Sequence, residues 1–305
     1  MTSVHSSSKD SVFGHGAAFV AYAIFGFNII ICKDLTSEGL IPPLGIFTLR
    51  SLVAGALFWI VSMFQPREQV ERKDYVKIFA ASMLGFLTCQ VTFLVGIPHI
   101  TPMDCSILTA MAPIYTMFVA AIAIKEPITF KKAGGVALSF AGIIYLIVSR
   151  VTAPGGTAES TPFGIFMIIL NSLSFSMYLG IFKPLIAKYS AVTFMKWIFL
   201  FSALVAAPIS MRGLVEVEWA AIPAKQYAEL AYLIICATFI TYFLIPLAQK
   251  RIRPTLISMY SYVQPIIAIA VSISIGMDTL TWQKALATVL VFSGVVIVSR
   301  SRSVH

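Results

Sequence analysis

Long apolar runs alternate with short polar breaks along nearly the whole chain. Ten runs of about 15–23 residues stand out, at 13–33, 43–64, 76–97, 102–124, 133–149, 162–182, 191–210, 228–248, 255–276 and 282–299. Runs of that size suit helices that cross a hydrocarbon layer about 30 Å thick. The breaks carry helix-ending residues: Pro42-Pro43, Pro66, Pro98, Pro127, Pro154 with Gly155-Gly156, Pro184 and Pro254. The pattern predicts an all-α polytopic membrane protein with ten transmembrane helices.

Composition agrees. The 305 residues are 58% hydrophobic and 11% charged, and a soluble chain would carry about twice that charged share. Lipid is then the solvent for most side chains. Met1–Ser11 is polar, and the apolar run Val12–Cys32 is too long for a signal-peptide core, so it reads as a retained first helix. Cys32, Cys89, Cys105 and Cys236 lie in or beside apolar runs without paired spacing. They read as small hydrophobes, with no disulfide and no metal site.

The chain also contains itself twice. Ser106–Gly142 lies over Ser258–Gly294 without a gap at an offset of 152, with ten of 37 positions identical. Pro113 meets Pro265, Thr129 meets Thr281, Lys132 meets Lys284, and Gly142 meets Gly294; Glu126 falls on Asp278. Two halves follow, 13–149 and 162–299, with tails 1–12 and 300–305.

Lys and Arg set the direction. With the N-terminus inside, fifteen basic residues fall on the inner side: Lys9, Arg67, Arg72, Lys73, Lys77, Lys125, Lys131, Lys132, Lys183, Lys188, Lys250, Arg251, Arg253, Arg300 and Arg302. Five fall outside: Lys33, Arg150, Arg212, Lys225 and Lys284. Arg50 and Lys196 stay within spans. This bias places both termini in the cytoplasm and the protein in the plasma (inner) membrane. It also accounts for the net charge of +9 without nucleic acid. Five spans per half is an odd number, so the second half enters from the opposite side. Inverted repeats of this kind build secondary transporters.

Ile24-Phe25-Gly26-Phe27-Asn28 through Lys33, Gly39-Leu40-Ile41-Pro42-Pro43 and Leu49-Arg50 resemble the first two helices of the EamA repeat. Ser106–Pro113, Ile124-Lys125-Glu126, Thr129 and Gly142 resemble its fourth and fifth, and Pro265, Asp278, Thr281 and Gly294 repeat that signature. The chain is thus similar to the EamA family of the drug/metabolite transporter superfamily over nearly all of 13–299. The resemblance implies ten helices around a central cavity and transport of small metabolites, often export of amino acids or related compounds. One departure is clear. Lys183 matches Lys33 at offset 150, but Arg50 falls on Leu200.

Arg50 is the sharpest single candidate. A charge about a third of the way into a span costs at least about 2.5–3.5 kcal/mol on insertion scales, so it faces protein or water. It reads either as an attractor for an anionic substrate group or as a structural tie to backbone carbonyls. Lys196, nearer its helix end, reads as a snorkelling cation beside Trp197. Pro113 and Pro265 fall mid-span at matched positions, and each breaks backbone pairing where a binding site would form. Asn28, Gln90, Tyr178, Tyr242 and Gln264 are neutral polar residues suited either to a pocket or to interhelical hydrogen bonds. Gln264, beside the break, is the best of them. Asp104 reads as a helix N-cap. Gly134-Gly135, Ser139-Gly142, Ala285-Ala287 and Ser293-Gly294 form small-residue faces, for contact either within the chain or across a homodimer seam.

No acid lies deep in a span, which argues against proton coupling. No glycine-rich phosphate loop and no catalytic constellation appears. The reading is a non-enzymatic secondary transporter of small polar metabolites, in contact with membrane lipid and needing no cofactor. The rivals are a membrane enzyme or lipid-handling protein and a non-transporting sensor or assembly protein. The first lacks a catalytic pair; the second lacks an output domain.

Overall fold

The apolar runs fold as helices because, in lipid, a helix satisfies its own backbone. The computed structural model describes residues 8–123, 129–151, 160–252, 257 and 260–300, and these contain no strand. The helices are α1 (Ser8–Ser37) and α2 (Pro43–Met63), α3 (Arg72–His99), α4 (Pro102–Thr109) and α5 (Ala112–Ala123). They continue with α6 (Phe130–Val151), α7 (Pro162–Ile181), the short α8 (Lys183–Lys188) and α9 (Ala191–Val215). The last are α10 (Ala224–Arg251), α11 (Val263–Ser274) and α12 (Trp282–Arg300).

Among the described residues, six helices are long and apolar enough to cross a membrane: Val12–Ser37, Pro43–Met63, Arg72–His99, Pro162–Ile181, Ala191–Val215 and Ala224–Arg251. Shorter apolar stretches lie at Ala133–Tyr145, Tyr260–Ser274 and Trp282–Ile297. The expected tails lie largely outside the described residues, as do Glu126, Lys125 and Ser258. The helix nevertheless starts at Ser8, inside the tail expected at 1–12.

Helices of the two halves pack as matched sets. α1 packs on α10 and α11, as α7 packs on α3 and α5. α2 packs on its counterpart α9, and α6 on its counterpart α12. Both counterpart pairs run antiparallel. Gly45 lies against Leu214, Gly55 against Phe199, and Trp59 against Trp197. In the second pair, Gly142 lies against Val291, and Gly294 against Gly135 and Ser139. The small-residue faces of α6 and α12 are therefore used within the chain. A methyl on Gly294 would strike backbone of Gly135 and Ser139, which is why glycine recurs there.

α3 and α10 each contain one π-helical segment, Met83–Thr88 and Ile235–Ile240. These also stand 152 apart, although few residues of the two helices match. A π-turn adds a residue to the turn and frees carbonyls from the helical ladder. Thr238 Oγ1 donates to one of them, the Leu233 carbonyl, at 2.7 Å.

Polar side chains tie the two ends of the bundle. At one end Lys188 bridges Asp74, at 2.6 Å, and Glu71. Glu68 accepts from the Ser190 backbone N–H, at 2.9 Å, at the start of α9. Hydrogen bonds to Asp74 and then Glu71 push the Lys188 ammonium above the usual lysine range, and that to Lys188 holds Glu71 below the usual carboxylate range. At the other end Lys33 donates to the Pro98 carbonyl at 2.7 Å, and Asp278 pairs with Lys284 while accepting from the Met103 N–H at 3.2 Å. Asp104 is not the cap expected of it. Pro102 opens α4, so Thr101 precedes the helix and its hydroxyl accepts from the Asp104 N–H, while the Asp104 carboxylate accepts from Ser160.

Candidate functional site

Matched breaks in the helices open space near the centre of the bundle. α4 ends at Thr109 and α5 begins at Ala112, so Pro113 sits in a first turn. There its missing N–H costs no helical hydrogen bond. Pro265 occupies the first turn of α11, after a tight turn over Tyr260–Tyr262. The Ala112 carbonyl, at the start of α5, accepts from the Thr116 hydroxyl at 2.9 Å and from the Ser176 hydroxyl of α7 at 3.4 Å.

A cavity lies between α1, α3, α4, α5, α7 and the start of α11. Its lining comes from both halves at matched positions. Phe25 and Phe175 stand 150 apart and meet edge-to-face, with ring centroids 6.4 Å apart at 90°. Tyr22 and Ser172 share that offset; Thr109 with Ser261 and Ala112 with Gln264 share the offset of 152. Asn28, Gln90 and Asn171 complete most of the polar surface.

Three of the six polar residues picked from the sequence thus line the cavity: Asn28, Gln90 and Gln264. Arg50 stands directly behind Gln90 and is fully buried. Its Nε donates to Thr238 Oγ1 at 2.8 Å, and its Nη1 donates to Gln90 Oε1 at 2.7 Å. That fixes the Gln90 amide, whose Nε2 donates to the Tyr242 hydroxyl at 2.9 Å. The Tyr242 hydroxyl donates onward to the Gly85 carbonyl in the π-segment of α3 at 3.2 Å. Gln90 and Tyr242 are themselves 152 apart, so side chains at matched positions of the two halves touch.

Tyr242 and Tyr178 do not line the cavity. Tyr242 serves the relay, and the Tyr178 ring packs on Gly85, where a methyl group would collide with it. Lys196 does not reach away from its helix to solvent alone; its ammonium lies over the Trp59 ring, 4.8 Å from the centroid. Sequence reasoning missed Tyr22, Phe25, Asn171, Ser172, Phe175 and Ser261. The match of Phe25 with Phe175 at offset 150, already present for the two lysines, was the signal for one pair.

The Gln90–Tyr242 contact gives a direct test. Gln90→Leu and Tyr242→Phe are expected to be non-additive in thermal unfolding, with a coupling energy of about 0.6–1.7 kcal/mol, the range for interhelical hydrogen bonds in membranes. Strict additivity would mean that the bond contributes nothing.

Membrane-length helices in two matched sets, closed around a shared cavity, make this an integral membrane protein of repeat architecture. The profile of the EamA-like transporter family matches residues 12–148 and again 162–300, and the chain belongs to that family. An uncharacterized transporter of Archaeoglobus fulgidus is 26% identical over 153 residues, about half of each chain (50% of this one and 52% of the relative). Uncharacterized transporter YcxC of Bacillus subtilis is 24% identical over 92% of this chain and 90% of its own. Uncharacterized inner membrane transporter YicL of Salmonella typhimurium is 22% identical over 92% and 93%. A solved crystal structure shares the fold, with a TM-score of 0.64 and 14% identity, covering 95% of this chain and 97% of that one. Family and relatives point to a transporter rather than an enzyme.

Proposed function

We propose that the protein is a secondary carrier that moves small polar metabolites by alternating access, amino acids and related compounds being among the candidate classes. Ten membrane spans form two inverted halves, 13–149 and 162–299. The breaks at Pro113 and Pro265 act as hinges on either side of the cavity. Asn28, Gln90 and Gln264 contact the solute, with Arg50 acting through Gln90.

The observation that carries this reading is the composition of the cavity wall. Matched residues of both halves face one shared space of mixed polar and apolar lining, beside helix breaks that recur at one offset. Inverted halves around a midplane site have two mirror-related packings, one open to each side. The antiparallel packing of α2 on α9 and of α6 on α12 supports the inversion.

Purified protein in proteoliposomes, offered a panel of labelled metabolites, tests the function. Uptake or exchange of at least one solute above protein-free vesicles is the expected result. Release of a covalent product with no solute movement would replace the carrier with an enzyme. The orientation, with both termini in the cytoplasm of the inner membrane, rests on the basic residues. Cysteines placed at Lys9 and Ser303 should resist an impermeant thiol reagent in intact cells, and labelling at either would overturn it.

A further inference from the structure

We infer that the solute carried in this cavity is an organic anion without an ammonium group, and that it crosses the membrane as net negative charge. The inference rests on the carrier reading and names its substrate class.

Charge balance comes first. Arg50 is fully buried, pairs with no carboxylate among the described residues, and leaves Nη2 without a hydrogen-bond partner. A lone cation in a low-dielectric interior favours an anion nearby and opposes a second cation. α9 carries Leu200 where α2 carries Arg50, so the centre holds one such cation rather than a matched pair.

The route from that charge to the cavity is short. Gln90 Oε1 is occupied by Arg50, so the amide presents its N–H groups on the other side. One goes to Tyr242. The other has only a long 3.9 Å contact with Cys89 Sγ, on a side chain that lines the cavity. Asn28 is similarly arranged: its Oδ1 accepts from Cys32 Sγ at 3.4 Å, leaving the amide N–H groups available. Tyr22, Ser172 and Ser261 also line the cavity, and their hydroxyls are buried without a partner. Buried polar atoms are ordinarily paired. With the Gln90 and Asn28 amides, these hydroxyls give the lining N–H and O–H donors that suit a carboxylate or another oxyanion.

For an ammonium the lining offers neutral acceptors such as the Asn171 side-chain oxygen, but no counter-charge. None of the described lining residues is an Asp or Glu. An amino acid would bring its cation into the field of Arg50 without a counter-charge. Phe25, Phe93 and Phe175 supply apolar surface for an alkyl or aryl body.

A solute of this class moves down the membrane potential. At 100 mV, interior negative, a monovalent anion at equilibrium is about 50-fold more dilute inside than outside. Efflux therefore needs no coupling ion, and the cavity lining includes no acid to carry a proton.

The test uses four compounds of one shape: 3-phenylpropionate, phenylalanine, phenethylamine and 3-phenylpropionamide. Binding to purified protein is read by thermal shift. Flux in proteoliposomes, corrected for protein-free vesicles, is read under a valinomycin-set potassium potential. Phenylpropionate is expected to bind at least 10-fold more tightly than the other three, and its flux to reverse with the sign of the potential. Arg50→Gln should erase that preference, and Arg50→Lys should retain part of it. If Arg50→Gln does not fold, the wild-type ranking decides. Equal or tighter binding of the zwitterion or the amine overturns the inference, as does anion flux indifferent to potential; either leaves the carrier standing. Failure of all four while a zwitterionic, cationic or neutral metabolite moves also overturns the inference alone. If no metabolite moves at all, the carrier reading falls with it.

Discussion

Replacing Arg50 with alanine should abolish transport and lower stability by about 1–3 kcal/mol. The stability loss is bounded from two sides. Hydrogen bonds to charged groups are worth about 1.5–3 kcal/mol each, and Arg50 makes one to Thr238 and one to Gln90. Relief of the cost of burying the cation works in the opposite direction. Thr238 keeps its own bond to the Leu233 carbonyl, so that end of the contact survives the change. Gln90 does not fare as well. Its amide loses the group that orients it and becomes free to flip, turning an acceptor where a donor stood. Arg50→Met separates structure from function. It fills most of the void, so stability should largely recover in thermal unfolding, while transport should not. Wild-type transport by Arg50→Met would reduce Arg50 to a structural tie between α2, α3 and α10.

Gly294→Val should have the largest effect on folding. The Cβ it adds would meet the Gly135 carbonyl oxygen and the Ser139 backbone nitrogen, and neither can turn aside as a side-chain tip could. α6 and α12 would have to separate, losing the Ser139 hydroxyl bond to the Val291 carbonyl at 3.2 Å. Overpacking costs about 1–3 kcal/mol and sometimes more. Close helix contact is also the main source of cohesion inside a bilayer, where burial from water contributes little. The repeat partner, Gly142→Ala, should be milder. Its nearest neighbours are Val291 Cγ2 at 2.9 Å and Leu290 Cβ at 3.0 Å, and the first belongs to a side chain that can shift. Thermal stability and the monodisperse fraction on size-exclusion chromatography measure both. A Gly294→Val protein as stable as wild type would mean that the seam is looser than described.

The repeated glycines show what was readable in advance. Gly142 and Gly294 recur because each lies where two helices cross closely, and a local steric demand leaves a local mark. The breaks near Pro113 and Pro265 left a mark for the same reason. The π-segments did not. Met83–Thr88 and Ile235–Ile240 share position but almost no residues, since a π-turn is stabilised by neighbours, here Tyr242 on Gly85 and Arg50 on Thr238. Asp104 was misread for a related reason: the N-cap depends on where the helix starts, and the Thr101-Pro102 pair decided that.

Hydropathy, basic-residue bias and the offset of 152 were enough to indicate helices, a duplication and a family, because lipid forces long apolar helices whatever they pack against. The direction in which each polar side chain points depends on helix rotation and partner, which no single helix encodes. Tertiary packing alone therefore put Tyr178 against Gly85, joined Gln90 to Tyr242 across the two halves, and left Arg50 buried behind the cavity with no acid paired to it among the described residues.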